Sequence, residues 1–119
     1  MSAIVKLKLN KEFRRVYGRG KSYVHPALVT YVLPCRAGGF RIGITAGKKV
    51  GGAVQRNRAR RLITAAYREL APWIDMNRSA MVVFVARAKT PACKMQEVHR
   101  AMRAHFAAAG LIARQRNPQ

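Results

Sequence analysis

The sequence predicts a single α+β domain, and three observations carry that reading. Half of the 119 residues are hydrophobic and 24% are charged, a balance that packs a core rather than leaving the chain disordered. Segments with helical spacing alternate with segments of strict two-residue alternation. The run "AMVVFVA", residues 80 to 86, is apolar on both pleat faces, as a strand covered on both sides must be. The expected order is helix, three strands, helix, strand, helix, with the helices packed on a small mixed sheet. This length buries roughly two thirds of the surface its unfolded form exposes, so residues 1 to 119 form one domain with basic tails at both ends.

Each element has its own local signal. Asn10 is a favourable N-cap for "KEFRRVYGR", which Gly18 and Gly20 interrupt. Phe13, Val16 and Tyr17 make one apolar stripe along it. "KSYV" reads as a short edge strand before His25 and Pro26. "ALVTYVL" sets Ala27, Val29, Tyr31 and Leu33 on one face and Leu28, Thr30 and Val32 on the other. After the turn "CRAGG", the run "FRIGITA" alternates Phe40, Ile42, Ile44 and Ala46 against Arg41, Gly43 and Thr45. These two strands are expected to form a hairpin. Gly51 and Gly52 turn the chain into a helix from Ala53 to Leu70, which stops before Pro72. The last helix takes Thr90 as N-cap and Pro91 as its first residue. Met95, Val98, Met102 and Phe106 form its apolar stripe, and Gly110 ends it.

Charge narrows the function. Twenty-four Lys and Arg face 4 Asp and Glu, a net charge of +20. Internal ion pairs neutralise at most four of those cations, so the remainder call for anions from outside the chain, and a polyanion is the simplest source. No apolar run reaches the roughly 18 residues that cross a bilayer. The first twenty residues carry Lys6, Lys8, Lys11, Arg14, Arg15 and Arg19 in place of an apolar secretory core. A cytoplasmic protein with no membrane partner is expected. Cys35 and Cys93 lack further ligands at zinc spacing and read as free buried thiols.

The stretch "KKVGGAVQRNRARRLI", residues 48 to 63, concentrates the charge. At 100° per residue, Ala59, Leu62, Ile63, Ala66 and Leu70 form one stripe about 100° wide, enough to pack on a sheet. Opposite them run Asn57, Arg61, Thr64 and Arg68, flanked by Arg56 and Arg60 on one side and Arg58 on the other. Lys48 and Lys49 precede the helix N-terminus, where free N–H groups and the dipole favour anions. Arginine predominates, and its planar fork grips phosphate with two hydrogen bonds. For Phe13, Tyr17 and Tyr31 two readings stand: core residues, or rings bordering a groove in which unpaired bases stack. Arg41, Gly43 and Thr45 suit a sheet face open to single-stranded RNA.

Catalytic constellations are absent from the pattern. "GITAGKK" is one residue short of a P-loop and no Ser or Thr follows Lys48. Glu12, Glu69, Asp75 and Glu97 are scattered, whereas a two-metal nuclease needs clustered carboxylates. His99 and His105 fall on different faces of one helix.

The stretch from Lys48 to Ile63 resembles the signature of the bacterial protein subunit of ribonuclease P. Lys48, Lys49, Gly51, Ala53, Val54, Arg56, Asn57, Arg58, Arg60, Arg61 and Leu62 match it. "EFRRVYGRGKS", "RIGITAGKK" and "VVFVARAKT" extend the resemblance over nearly the whole chain in the right order. Thr64 and Gly52 depart from it, each at a place where polar or basic side chains are usual. The resemblance implies a left-handed βαβ crossover, against the usual hand, in a fold similar to domain two of a ribosomal protein of the small subunit. It implies removal of 5′ leaders from precursor tRNA by a ribonucleoprotein whose RNA subunit performs the hydrolysis with Mg²⁺, with no cofactor and no small-molecule substrate bound by the protein. Lys48, Lys49, Arg56, Asn57, Arg58, Arg60 and Arg61 would then face the catalytic RNA, and Arg68 joins them as a candidate from the same helix row. Phe13, Tyr17 and Tyr31 would line the cleft for the single-stranded leader, and Arg41 joins them as a candidate from its own strand face. The chief rival class is a structural RNA-binding protein such as a ribosomal protein. A DNA-binding module and a self-sufficient nuclease follow.

Overall fold

The computed structural model describes residues 6, 7 and 9–117. Three helices and four strands follow in the expected order: α1 (Asn10–Arg19), β1 (Lys21–His25), β2 (Leu28–Cys35), β3 (Phe40–Thr45), α2 (Ala53–Leu70), β4 (Ser79–Ala86) and α3 (Met95–Ala108). Short 3-10 turns at Lys48–Val50, Ala71–Trp73 and Thr90–Ala92 lead into or out of the helices. The expectations for Lys8 and for an N-terminal tail over residues 1–5 lie outside the described residues. At the other end, the chain folds back on the turn after α2: Ile112 bridges Ile74, and Ala113 and Asn117 donate to the carbonyls of Trp73 and Pro72 at 2.8 and 2.7 Å.

The sheet order is β1-β2-β4-β3. β2 pairs antiparallel with β1 and with β4, while β3 runs parallel to β4. The expected hairpin of β2 with β3 therefore does not form, because β4 lies between them. The reason is visible in β4 itself: Ala80, Val82 and Phe84 on one face and Met81 and Val83 on the other are all buried, so this strand takes the interior place with a neighbour on each side. The hairpin is β1 with β2, turned at His25, whose Nδ1 accepts a hydrogen bond from the Ala27 N–H at 3.0 Å. The connection from β3 through α2 to β4 is the parallel crossover unit.

Two cores lie on opposite faces. On one, Leu28, Val32, Ile42, Val82 and Phe84 meet Ala59, Ile63 and Leu70 of α2 and Val98, Met102 and Phe106 of α3. Each such large side chain contributes about 1.5–3 kcal/mol relative to exposure. On the other face, Val16 of α1 joins Leu7, Met81 and Val83. Phe84 and Phe106 stack at 6.0 Å.

Two helix starts differ from expectation. Leu9, not Asn10, is the N-cap of α1, and its N–H donates to the Glu12 carboxylate at 3.3 Å. Glu12 reaches back to the helix start, so the cap needs no side chain at position 10. Thr90 does not cap α3, which starts at Met95 after Lys94. Its hydroxyl is buried where β2 begins and β4 ends instead, donating to the Ala27 carbonyl at 2.7 Å and accepting from the Arg87 N–H at 2.8 Å. Gly110, at φ 76°, ends α3 as expected. Both cysteines are free: Cys93 is buried and Cys35 half-buried.

Candidate nucleic-acid interface

α2 divides as its sequence demands. Ala59, Ile63, Ala66 and Leu70 are buried against the sheet and α3, with Tyr67 beside them. Burial pushes the Tyr67 hydroxyl pKa up to about 12. Tyr67 was absent from the expected stripe because a phenol reads as amphipathic. Its position four residues after Ile63 was the available signal. On the opposite side Asn57, Arg58, Arg60, Arg61 and Arg68 are exposed, and Arg56 is half-buried. Like charges one turn apart, such as Arg56 and Arg60, cost about 0.2–0.5 kcal/mol per pair. The buried stripe offsets this several times over.

The acidic residues do not neutralise this face. Among the described residues the ion pairs are Glu12 with Arg41, Asp75 with Arg78, and Glu97 with Lys89. None of these involves a cation of α2. Two α2 side chains do make internal hydrogen bonds. Arg58 donates through Nε to the Pro91 carbonyl at 2.7 Å, tying α2 to the turn before α3. Arg60 donates to Asn57 Oδ1 at 3.4 Å. Arg58 thus has a fastening role that helical periodicity could not show, since Pro91 is distant in sequence.

Lys48 and Lys49 lie exposed on the turn before α2. Gly51 supports the bend with φ 138°, which disfavours any side chain. Gly52 precedes α2 without a side-chain cap, so the first N–H groups of the helix keep their capacity for an external acceptor.

α1 crosses the other sheet face from β3 toward β2. Near its start, Leu7 N–H bonds the Ile42 carbonyl at 3.0 Å and Glu12 pairs with Arg41. At its end, Gly20 lies so close to β2 that a Cβ there would sit 2.9 Å from the Val32 carbonyl oxygen. The ring of Phe13 lies on Gly43, where a Cβ would come within 2.5 Å of Phe13 Cε1. On the flank of α1 toward the Thr45 end of the strands, Tyr17 of α1 and Tyr31 of β2 meet edge to face at 5.0 Å. The Tyr17 hydroxyl is 3.5 Å from Thr45 Oγ1, and this ring is 39% exposed. Thr45 leads within three residues to Lys48, so the tyrosine pair and the basic loop share one end of the sheet.

The four expected cleft residues are not all together. Tyr17 and Tyr31 form the aromatic pair, Tyr17 exposed and Tyr31 half-buried, and Phe13 is half-buried on the inner side of α1. Arg41 lies four residues before Thr45 on β3, about 13 Å along the strand, and on the far side of α1. The alternation of β3 put Arg41 on the correct face. Its separation from the tyrosines depends on where α1 crosses, which no local pattern specifies.

His105 is structural in its setting. His105, on α3, is buried and within 2.7 Å of Thr30 Oγ1 through Nδ1. Burial, helped by nearby His25, holds its pKa below the usual imidazole value.

A sheet domain carrying an uncompensated arginine face, a lysine loop and an exposed tyrosine ring, with its carboxylates dispersed, defines a small basic α+β protein equipped to dock a polyanion. The ribonuclease P family model matches residues 1–110, and the chain belongs to that family. A ribonuclease P protein component of Clostridium botulinum strain Loch Maree is 48% identical over 82 residues, covering 69% of this chain and 73% of the relative. The corresponding protein of Clostridium kluyveri is 35% identical over 108 residues, covering 91% and 96%. Among solved structures, the Staphylococcus aureus RNase P protein superposes with a TM-score of 0.77 at 23% identity, covering 93% of this chain and all of that one. The Thermotoga maritima RNase P protein gives 0.74 at 20%, covering 87% and 96%. Those two likenesses establish the fold. Family membership makes the chain a protein component of an endoribonuclease that processes tRNA and implies an RNA partner. Among the described residues, no helix is long and apolar enough to cross a membrane.

Proposed function

We propose that the chain binds the ribonuclease P RNA through the exposed side of α2 and the Lys48–Lys49 loop, and holds the single-stranded 5′ leader of precursor tRNA against Tyr17 and Tyr31. The RNA subunit performs the hydrolysis with Mg²⁺. The protein contributes affinity and charge neutralisation, positioning the leader while cations lower the repulsion between two RNAs. The observation that carries this reading is the division of α2: one stripe locked in the core, and an opposite row of guanidinium groups with no carboxylate partner among the described residues. Arg56, Asn57, Arg60, Arg61 and Arg68 supply phosphate contacts, and Arg58 contributes from a tethered position. Tyr17 and Tyr31 provide ring faces to unpaired bases, each worth about 1–3 kcal/mol per stacked base.

Reconstitution tests the reading. Added to ribonuclease P RNA at moderate Mg²⁺, the chain accelerates 5′ processing of precursor tRNA. No stimulation, with RNA binding intact, favours a structural RNA-binding role instead. Tyr17→Ala weakens binding of precursor more than of mature tRNA, and equal losses return Tyr17 to a packing role.

A further inference from the structure

On the side of α1 away from the tyrosines, the sheet face ends in a second hollow, between α1 and the loop joining β2 to β3. Its walls carry Lys11 and Arg15 from α1, Arg36 from the loop and Arg41 from β3. Glu12 is the single carboxylate in the lining, and it is engaged with Arg41. The cations come from three separate elements and converge, which differs from a solvated charge run along one helix. In the loop, Gly38 and Gly39 take φ of 101° and 70° and line the hollow without side chains. Residues with side chains rarely adopt those angles.

We propose that this hollow is a second phosphate-binding site, which takes a phosphodiester group of RNA. It rests on the RNA-binding reading above but lies apart from both features used there. α2 packs on the opposite sheet face, and Tyr17 leaves α1 on a different flank from Lys11 and Arg15, which line the hollow. Three guanidinium groups can present paired N–H donors to one phosphate, and Lys11 adds a point charge. Glu12 holds Arg41 in place while the site is empty of RNA and opposes the incoming anion by its own charge. It sets the affinity of the hollow rather than adding to it. Two RNA sources have this chemistry: the ribonuclease P RNA itself, or the upstream part of a leader that has passed α1.

The test uses the full chain with Arg15→Ala and Arg36→Ala combined, with Glu12→Gln, and with Arg56→Ala and Arg61→Ala combined as the reference for α2. Affinity is measured for ribonuclease P RNA, and for precursor tRNA with long and short leaders in the reconstituted complex, between 50 and 200 mM salt, after circular dichroism has established folding. Each lost phosphate contact lowers the slope of log affinity against log salt by roughly 0.7–0.9, or roughly threefold in affinity over that fourfold salt range. The double hollow variant is expected to show such a loss, and Glu12→Gln the opposite, tighter binding. Damage to the fold would not produce tighter binding. A loss on ribonuclease P RNA assigns the phosphate to that subunit, and a loss confined to long-leader precursor assigns it to the leader. Wild-type slopes for the hollow variants, alongside a reduced slope for the α2 variant, overturn this inference and leave the proposed function standing. Wild-type slopes for both sets overturn both.

Discussion

Gly43→Ala probes how the core of the α1 face sets the aromatic cleft. A methyl group there would lie 2.5 Å from Phe13 Cε1, 2.7 Å from Cζ and 3.3 Å from Leu7 Cδ1. Carbon atoms settle at about 3.5–4.0 Å, so the ring must withdraw by about 1 Å, and α1 or the Phe13 rotamer must move with it. Overpacking of this kind costs about 1–3 kcal/mol. For a domain of this size each kcal/mol corresponds to a fall in melting temperature of about 3–6 °C. Tyr17, one turn beyond Phe13, shifts with the helix, so affinity for precursor tRNA falls as well. Thermal and denaturant melts of Gly43→Ala, Phe13→Leu and the double variant form a cycle. If the clash is the cause, Gly43→Ala costs less than about 0.5 kcal/mol once Phe13 is Leu, because the smaller side chain leaves room. An equal cost in both backgrounds, or no cost in either, refutes the packing argument.

Three further outcomes follow from the structure. His105 has a depressed pKa in the folded protein, so the unfolded chain takes up its proton first as pH falls. Stability is therefore at its full value above about pH 6.5 and declines below it through the folded pKa; melts of His105→Gln, followed from pH 7.5 to 5, should decline less, and an identical decline would discard His105 as the cause. Arg58→Ala removes the bond to Pro91 and should destabilise by about 1–2 kcal/mol, whereas Arg61→Ala should stay within about 0.5 kcal/mol; urea titrations giving the reverse order contradict the two roles. Ile63→Ala opens a fully buried site and should cost about 2–5 kcal/mol while leaving the salt dependence of the folded fraction unchanged, as RNA titration would show.

Helices were the most legible part of the sequence, because their periodicity is local. α2 runs from Ala53 to Leu70 as its stripe and flanking Gly52 indicate. The placement of β3 was not legible. Both β2 and β3 alternate cleanly and only four residues, Arg36, Ala37, Gly38 and Gly39, separate them, yet β4 enters from much further along the chain. The two-sided apolar pattern of β4 gave its interior position without naming its neighbours. Thr90 looked like a cap because Pro91 follows it, and its burial beside Ala27 depends on a contact 63 residues away. At the site, the α2 row was readable by face, and the tyrosines by type. The division of the sheet face by α1, which separates Arg41 from Tyr17, was not, since a crossing direction is a tertiary property.

In the proposed function, the outer side of α2 binds RNA by charge while its inner side anchors the helix. The most direct test measures affinity for ribonuclease P RNA against salt for the wild-type chain and for Arg56→Ala, Arg61→Ala and Arg68→Ala combined. The triple variant should keep its melting temperature and lose roughly 2–3 from the slope. An unchanged slope with the fold intact would contradict the account.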